Sequence, residues 1–183
     1  MQFHEKTNLT TKEYNKVEVR TASRVVCFDG EKVLMVRIKV DDTYSFPGGG
    51  VEIGESLETA CIRETLEEAG YRVSVIQYLG LVDEYFDSKF HPHRAFNMKS
   101  HYFLCEKVRK EIQELDEYEE DWDFEPVWIK PADALKHSLE KKLSNSFSLK
   151  RRRYLDRAIY VLRYLTENKI SINLMSDESL VKY

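Results

Sequence analysis

The alternation of apolar and polar positions predicts a β-hairpin near the start of the chain. Residues 17–28 are rich in β-branched side chains and lead into Asp29 and Gly30, a pair typical of a tight hairpin turn. A second apolar stretch, residues 32–40, would form the returning strand. The glycine-rich stretch that follows, residues 46–50, predicts a tight loop without regular structure.

Three helices are predicted further along the chain. The first runs from Ser56 to Ala69, because Ser56 suits an N-cap and a glycine follows the last residue. The second begins at Pro131, a residue favoured in the first turn of a helix. Its apolar positions at helical spacing are Ala132, Leu135, Leu139 and Leu143. The third covers residues 149–166, with an apolar stripe interpreted as core: Leu155, Ala158, Ile159, Leu162 and Leu165.

Short apolar runs, separated by glycine and polar residues, predict four more strands. They cover residues 71–78, 81–86, 102–108 and 127–129. Strands that alternate with helices are typical of an α/β or α+β domain. We expect this domain to occupy residues 17–168, with an N-terminal arm of no predicted structure before it (1–16) and a tail after it (169–183).

Composition narrows the class of protein. With 183 residues, 42% of them apolar and 33% charged, the chain is long enough for one globular domain with a substantial core. Its net charge of −4 argues against a nucleic-acid partner. No apolar run reaches the roughly 20 residues that cross a bilayer, which argues against a membrane partner. The three scattered cysteines form neither a disulfide nor a zinc pattern, so we expect a cytoplasmic location.

The first predicted helix carries a group of acids. On a helical wheel, Glu64, Glu67 and Glu68 share an arc of about 100°. Like charges at this spacing cost roughly a few tenths of a kcal/mol per pair. Glu67 and Glu68 also oppose the helix dipole, at ~0.3–1 kcal/mol each. A hard divalent cation such as Mg²⁺ would offset these costs, because it prefers carboxylate oxygens; the alternative is a solvated acidic face.

The spacing of residues around this helix resembles the Nudix box, G-x5-E-x7-R-E-U-x-E-E-x-G-U, where U is a bulky apolar residue. The charged and glycine positions are filled by Gly49, Glu55, Arg63, Glu64, Glu67, Glu68 and Gly70. Thr65 and Tyr71 stand at the U positions, where an aliphatic residue is commoner. Residues 46–48, Phe-Pro-Gly, also resemble the usual lead-in to the box. The chain is therefore similar to the Nudix hydrolase family.

This resemblance implies a fold and a set of metal ligands. The fold would be of the α/β class, a Nudix-like α/β/α sandwich in which a mixed, twisted β-sheet is flanked by helices, with an added C-terminal helix. In the family, Mg²⁺ or Mn²⁺ is held against a pyrophosphate. The resemblance implies that Glu64, Glu67 and Glu68 bind this metal, with the carbonyl of Gly48 as a further ligand, and that Arg63 orients the glutamates.

The reaction implied by the resemblance is hydrolysis of a phosphoanhydride bond in a small nucleotide. Glu67, Glu68 and Arg63 would act in catalysis. Glu55, together with Gly49 and Gly70, would maintain the structure of the box. The general base in the family is either a box glutamate or an acid on a loop before a late strand. Residues 111–125 form such a loop here, and Glu120 is our candidate; a merely solvated acidic loop is the alternative.

Five residues are candidates for contact with substrate: Arg37, Phe46, Gly49, Tyr85 and Arg94. Arg37 ends the second strand of the hairpin, where it would reach a phosphate; a surface arginine is the alternative. Tyr85 and Arg94 belong to an aromatic and histidine-rich stretch that would stack a nucleobase, and loop packing is the alternative. Residues 86–89, which lie 15 to 18 positions past the box, include neither the proline typical of ADP-ribose enzymes nor the tyrosine of dinucleoside-polyphosphate enzymes, so the substrate class stays open.

Other functions and assemblies also stay open. A Nudix-like module that senses a nucleotide without cutting it would be expected to lack box carboxylates, and none is missing here. An isoprenyl-diphosphate isomerase would need a further Cys and Glu pattern that the sequence does not show. A homodimer is compatible with the resemblance, since many Nudix proteins are dimers. The basic cluster at residues 150–153 is interpreted as a solvated helix face, and contact with an acidic partner, a subunit or RNA is the alternative.

Overall fold

Strands precede and follow a central helix in this computed structural model, which describes residues 2–8, 10, 14–88, 93–144, 149–168 and 170. The strands are β1 (Phe3–Asn8), β2 (Val17–Asp29), β3 (Lys32–Ile38), β4 (Thr43–Ser45), β5 (Gly48–Gly50), β6 (Tyr71–Asp87), β7 (Ala95–Lys110) and β8 (Phe124–Ile129). The helices are α1 (Leu57–Ala69), α2 (Glu117–Asp121), α3 (Pro131–Leu143) and α4 (Leu149–Glu167).

The strands form one mixed sheet in the order β1-β6-β7-β2-β3-β4, with β5 paired to β2 and β8 paired to β3. The β1–β6 and β2–β7 pairs are parallel, whereas β6–β7, β2–β3 and β3–β8 are antiparallel. The predicted hairpin is therefore present as β2 and β3, which join at Asp29 and Lys32. Gly30 in the turn has φ +60°, a conformation that favours glycine.

Alternate residues of the central strands face opposite sides of the sheet. On β2, Val25 and Cys27 pack with α1, whereas Val26 and Phe28 pack with α4. β7 repeats the pattern, since Phe103 joins the α1 side and its neighbours join the α4 side. Two apolar layers thus separate the sheet from helices on both faces. The predicted α/β class with an α/β/α arrangement is confirmed.

The helix with the acids lies where it was predicted. Ser56 is its N-cap and accepts a 3.1 Å hydrogen bond from the Thr59 N–H. Gly70 ends it in the left-handed conformation at φ 66°, with its N–H bonded to the Leu66 carbonyl. The two ends of this helix are therefore determined by capping residues that can be recognised in the sequence.

The glycine stretch differs from its prediction. It was expected to lack regular structure, but residues 48–50 form β5 and pair with residues 22–24 of β2. A Cβ at Gly48 would lie 2.6 Å from the Cα of Arg24, so only glycine lets the two strands approach this closely. Glycine has a low propensity for strands, but here it allows β5 to pair with β2 at close approach, and this requirement outweighs the propensity.

Two further strands differ from their predictions. Residues 71–87 form one strand, β6, and the irregularity near Gly80 is a shift of register and not a break. The N-terminal stretch, predicted as an arm, contains β1, and Phe3 is 6% exposed within the core. A side chain at Gly80 would clash with the Phe3 carbonyl, so this glycine makes room for β1.

The C-terminal helices follow their predictions in part. All five predicted stripe residues of α4 are buried, at 4% exposure or less. The α3 stripe was wrong in detail, because Ala134 and Ser138 are the buried residues and Leu143 is 84% exposed. The predicted tail lies outside the described residues except for Ile170, which packs against the α4 side of the core. Among the helices of the described part of the chain, none has the length and apolarity needed to cross a membrane.

Candidate active site

The glycine strand β5 holds the acids of α1 against the sheet. Gly48 lies opposite Arg24 of β2 and donates a 2.7 Å hydrogen bond from its N–H to Oε2 of Glu68. A Cβ at Gly49 would lie 2.6 Å from the Cδ of Glu64, so the absent side chain leaves room for this carboxylate. Two of the three predicted metal-binding acids therefore meet the glycine backbone directly.

Arg63 connects the remaining box residues. Its Nε and Nη2 donate to the two carboxylate oxygens of Glu55, each at 2.9 Å. Its Nη1 donates to Glu64 and Glu67, again at 2.9 Å each, and its Nη2 also reaches the Gly50 carbonyl at 3.0 Å. The Glu55 hydrogen bonds raise the pKa of Arg63, and the same guanidinium lowers the pKa of Glu55. One planar cation thus orients three carboxylates and the β5 backbone.

Glu68 is the most strongly perturbed acid of the group. It is 5% exposed, and burial raises its pKa well above the usual range. The positive charge of Arg24 and the Gly48 N–H act in the opposite direction, while the charges of Glu119 and Glu64 add to the rise. Burial likewise raises the pKa of Glu64, although Arg63 opposes this. Ionised carboxylates at these positions call for a compensating cation.

Arg24 supplies one such cation and was not among the predicted site residues. Its Nη1 donates to the Gly48 carbonyl at 2.7 Å and to the Phe46 carbonyl at 3.2 Å. The side chain is 6% exposed, and its Nε has no hydrogen-bond partner among the described residues. The signal in the sequence was a charged residue directly before the apolar run of residues 25–28 in β2.

The two neighbouring acids of the acidic loop, Glu119 and the candidate base Glu120, differ in burial. Glu120 is exposed on α2, whereas Glu119 is 3% exposed and its charge contributes to the raised pKa of Glu68. The Glu119 carboxylate also accepts a 2.9 Å hydrogen bond from the Asp116 N–H. Gln113, which precedes α2, donates its side-chain N–H to the Glu68 carbonyl at 2.5 Å. The loop is therefore fastened to the end of α1, and its buried acid is Glu119.

Phe46 and Arg37, two of the candidates for contact with substrate, both have partners within the protein. The Phe46 ring is 1% exposed and packs edge-on against Tyr102 at 5.8 Å, so it is a core residue and cannot stack on a substrate. Arg37 forms two hydrogen bonds to Asp42, at 2.7 and 3.1 Å, on the rim of the sheet. The Arg37 side chain is 41% exposed and fixes the β3–β4 turn.

Tyr85 and Arg94 lie near the β6–β7 connection. The Lys6 ammonium sits 5.0 Å from the centre of the Tyr85 ring. Arg94 forms a 3.1 Å ion pair with Glu18 of β2. Both side chains thus have partners from neighbouring strands, which supports the packing alternative. Residues 89–92 of the same stretch lie outside the described residues.

The basic cluster at the start of α4 was interpreted as a solvated helix face, but it is not wholly solvated. Arg153 lies over the Phe86 ring, with its guanidinium carbon 3.6 Å from the ring centre. One turn later, the buried Arg157 pairs with Glu84 of β6 at 3.2 Å. Two cations of α4 therefore face the sheet.

Comparison with known proteins agrees with this geometry. The NUDIX domain family matches residues 18–149, which is more than half of the chain. The chain belongs to the Nudix family. Among solved structures, a NUDIX hydrolase from Nitrosomonas europaea superposes with a TM-score of 0.53 at 18% identity, covering 79% of this chain and 90% of that one, which supports the Nudix fold.

Curated relatives match the chain over shorter stretches. The Bacillus subtilis protein named "Putative 8-oxo-dGTP diphosphatase YtkD" is 46% identical over 56 residues, 31% of this chain and 35% of the relative. Another from the same organism, "Putative ADP-ribose pyrophosphatase YjhB", is 32% identical over 90 residues, 49% of this chain and 40% of the relative. The chain thus aligns with less than half the length of these relatives. The substrates in their names are different.

The Nudix box residues fit a divalent cation by their chemistry. In the described part of the chain, no three Asp, Glu, His or Cys side chains are already arranged around one ion, and Arg63 bridges Glu64 and Glu67 instead. The donor set is nonetheless oxygen only: three carboxylates and the Gly48 carbonyl, which suits Mg²⁺ or Mn²⁺. A bound cation would also favour the ionised form of the buried Glu68.

Proposed function

We propose that this Nudix protein hydrolyses a phosphoanhydride bond of a nucleoside diphosphate derivative or a nucleoside triphosphate, with Mg²⁺ or Mn²⁺ as cofactor. The observation that carries the proposal is the buried Glu68 carboxylate, held by the Gly48 N–H beside a second buried acid, Glu64. Folding alone gives no reason to gather such groups, because burial makes their ionisation unfavourable. Metal and pyrophosphate binding does give a reason.

In this proposal, the ion would be held by Glu64, Glu67 and Glu68, with the Gly48 carbonyl as a further ligand. When bound, a divalent ion neutralises charge on the diphosphate and lowers the pKa of the attacking water. Arg63 keeps the carboxylates in position through its 2.9 Å hydrogen bonds. Water attacks one phosphorus, the bond from that phosphorus to the bridging oxygen breaks, and the bridging oxygen leaves with the other phosphate.

We propose Glu119, in place of Glu120, as the group that takes the proton from the attacking water. Glu119 is buried and its charge contributes to the raised pKa of Glu68, whereas Glu120 is exposed. Its carboxylate is held by the Asp116 N–H, which fixes one oxygen and leaves the other for a proton. A box glutamate is the alternative base.

The test is a substrate panel with purified protein and Mg²⁺ or Mn²⁺. The panel contains ADP-ribose, NADH, sugar nucleotides, dinucleoside polyphosphates, nucleoside triphosphates and 8-oxo-dGTP. We expect phosphate-containing products from at least one compound, dependence on the added metal, and loss of most of the rate in Glu68→Gln. The exposed Glu120→Gln is the matched control and keeps its rate.

A nucleotide-sensing module is the second candidate. Such a module would bind a nucleotide tightly without turning over any member of the panel. That result would overturn the hydrolase proposal. The complete set of box acids favours the hydrolase. A cytoplasmic location remains part of the proposal, supported by three buried cysteines that are all free thiols.

A further inference from the structure

Arg20 of β2 carries a guanidinium without a partner in the described part of the chain. Its side chain is exposed and forms no hydrogen bond or ion pair with any described residue. The other arginines of the described strands all hold a carboxylate or a backbone carbonyl, and they are Arg24, Arg37, Arg72 and Arg109. Arg20 therefore keeps its N–H donors and its positive charge for a ligand.

The Arg20 guanidinium occupies the space of the missing side chain at Gly50. A Cβ on Gly50 would lie 2.8 Å from Nη2, 3.3 Å from Nε and 3.5 Å from Cζ of Arg20, which are its nearest neighbours. Gly50 has no left-handed φ, and the Nudix box leaves its position unspecified. Neither the backbone conformation nor the box therefore requires glycine here, whereas the place of Arg20 against β5 does.

Arg20 adjoins the box acids along β5. The Gly50 carbonyl accepts a 3.0 Å hydrogen bond from Arg63, which also holds Glu64. A Cβ on the preceding Gly49 would lie 2.6 Å from the Cδ of Glu64. Because neighbouring Cα atoms lie about 3.8 Å apart, the Arg20 guanidinium is at most about 12 Å from the Glu64 carboxyl. Gly49 and Gly50 are both partly exposed, so a ligand from solvent can reach this stretch of the strand.

The two arginines beside Gly50 differ in charge balance. Arg63 donates to three carboxylates, those of Glu55, Glu64 and Glu67, whereas Arg20 pairs with no described carboxylate. Arg20 therefore adds an uncompensated positive charge beside the proposed metal site. That charge repels a divalent cation on its own. It becomes favourable when the ligand carries more negative charge than the cation neutralises.

This condition narrows the chemistry of the ligand. A diphosphate esterified at both ends carries two negative charges, which one divalent cation neutralises. A free terminal phosphate group carries about −1.5 to −2 at pH 7. Its oxygens also accept two parallel hydrogen bonds from a planar guanidinium. A free phosphate end is therefore a stronger partner for Arg20 than an esterified end.

We propose that Arg20 is a specificity-determining residue that binds a free terminal phosphate group of the substrate. The protein then favours compounds that end in phosphate over diphosphates with both ends esterified, such as ADP-ribose and sugar nucleotides. The proposal rests on the hydrolase function proposed for the neighbouring acids, because it takes binding of the diphosphate there as given. The alternative is a solvated surface arginine.

Two compounds that contain no phosphoanhydride bond test the proposal without turnover. Methylenediphosphonate has two free ends, and its P,P′-dimethyl ester has the same P–C–P bridge with both ends esterified. Each compound is titrated by calorimetry, in the presence of Mg²⁺, into the wild-type protein, Arg20→Gln and Arg109→Gln. Arg109→Gln is the matched control, because it removes the same charge from an exposed position on β7. Circular dichroism and melting temperature establish that each variant is folded.

We expect Arg20→Gln to weaken binding of the free-ended compound about tenfold or more and binding of the diester less than about threefold. Arg109→Gln should change neither affinity by more than about threefold. Arg20→Lys, which keeps the charge without the planar fork, should restore part of the affinity. An equal loss for both compounds, an unchanged affinity for the free-ended one, or a wild-type protein that does not prefer it would overturn the proposal.

Gly50→Ala is a second variant, and it keeps every charge. Its Cβ would displace the Arg20 guanidinium, so it should show the same selective loss for the free-ended compound. Because both changes act on one contact, Arg20→Gln together with Gly50→Ala should lose little more than Arg20→Gln alone. Additive losses, or a normal affinity in Gly50→Ala, would contradict the place assigned to Arg20.

Kinetics with the substrate panel provide the second readout. Arg20→Gln should lower kcat/KM for nucleoside triphosphates about tenfold or more, and for ADP-ribose less than about threefold. An equal change for both, or a wild-type preference for compounds esterified at both ends, would contradict the proposal. The calorimetry requires no turnover. The hydrolase proposal therefore fails if no panel compound is cut, whereas the Arg20 proposal fails if the affinities are unchanged, so the two failures are distinguishable.

Discussion

Arg157 of α4 and Glu84 of β6 form an ion pair at 3.2 Å inside the protein, with side chains 5% and 4% exposed. The same guanidinium donates a 2.8 Å hydrogen bond to Ser100 of β7. This pair therefore ties the C-terminal helix to two strands of the sheet. Charges this deeply buried are tolerated only together, because removal of one leaves the other without compensation.

A double-mutant cycle on this pair should be strongly non-additive. Arg157→Met and Glu84→Gln should each lower the free energy of unfolding by about 3–5 kcal/mol, since each leaves a buried polar partner unpaired. The double variant should lose much less than the sum of the two. Urea unfolding at neutral pH measures all four proteins. Additive losses would mean that the pair is not coupled as the structure indicates.

The turn between β3 and β4 should contribute a pH-dependent part of the stability. Hydrogen bonds from Lys141 and then Arg37 lower the pKa of Asp42 to about 2 from its usual 3.8. The unfolded state therefore binds more protons between these values, and stability rises with pH there. The contribution is complete above about pH 4 and is lost as the pH falls through about 2.

Asp42→Asn tests this directly. Asparagine tolerates the left-handed backbone at φ 53° but carries no charge, so strain is not introduced. We expect a loss of about 1 kcal/mol at pH 7 that vanishes towards pH 2, as measured by urea unfolding over that range. Asp121→Asn, at an exposed position of α2, is the control and should show a smaller effect. A loss that persists unchanged at pH 2 would exclude the ionic explanation.

The parts of this protein that were predictable from sequence are those fixed by local chemistry. Ser56 and Gly70 end α1 through contacts within a few residues, and the box spacing lies in one continuous stretch. β1 was not predictable in the same way, because Phe3 finds its partner in Gly80, far along the chain. Pairing of such distant residues leaves no periodic pattern in a short polar segment.

The acid of the α2 loop shows the same limit at the site. Glu119 and Glu120 are adjacent in an acidic run, and neither charge nor spacing distinguishes them. The distinction arises from tertiary contacts, since Gln113 fastens the loop to the Glu68 carbonyl and thereby determines which carboxylate is buried. Arg24 is the opposite case, because its charge directly before the apolar run of residues 25–28 was a visible signal.

Gly49→Ala should impair metal binding, while Gly50→Ala should not. A Cβ at Gly49 would lie 2.6 Å from the Cδ of Glu64, a buried carboxylate held by Arg63. A Cβ at Gly50 would meet only the end of the flexible Arg20 side chain, at 2.8 Å. We expect the Mg²⁺ affinity, measured by the rise in melting temperature with added ion, to fall about tenfold or more in Gly49→Ala. Equal responses in the two variants would contradict this role for Gly49.

Glu119→Gln and Glu120→Gln should differ in rate although they alter neighbouring residues. Glutamine keeps an oxygen that accepts the hydrogen bond from the Asp116 N–H, so α2 should stay folded in Glu119→Gln. It cannot take a proton, and a lost general base costs about 10²–10⁴ in kcat. Glu120 is exposed, so its substitution should leave kcat within about threefold. The measurement is kcat for the best panel substrate at saturating Mg²⁺, with circular dichroism to confirm folding. A normal kcat in Glu119→Gln would transfer the role of base to a box glutamate.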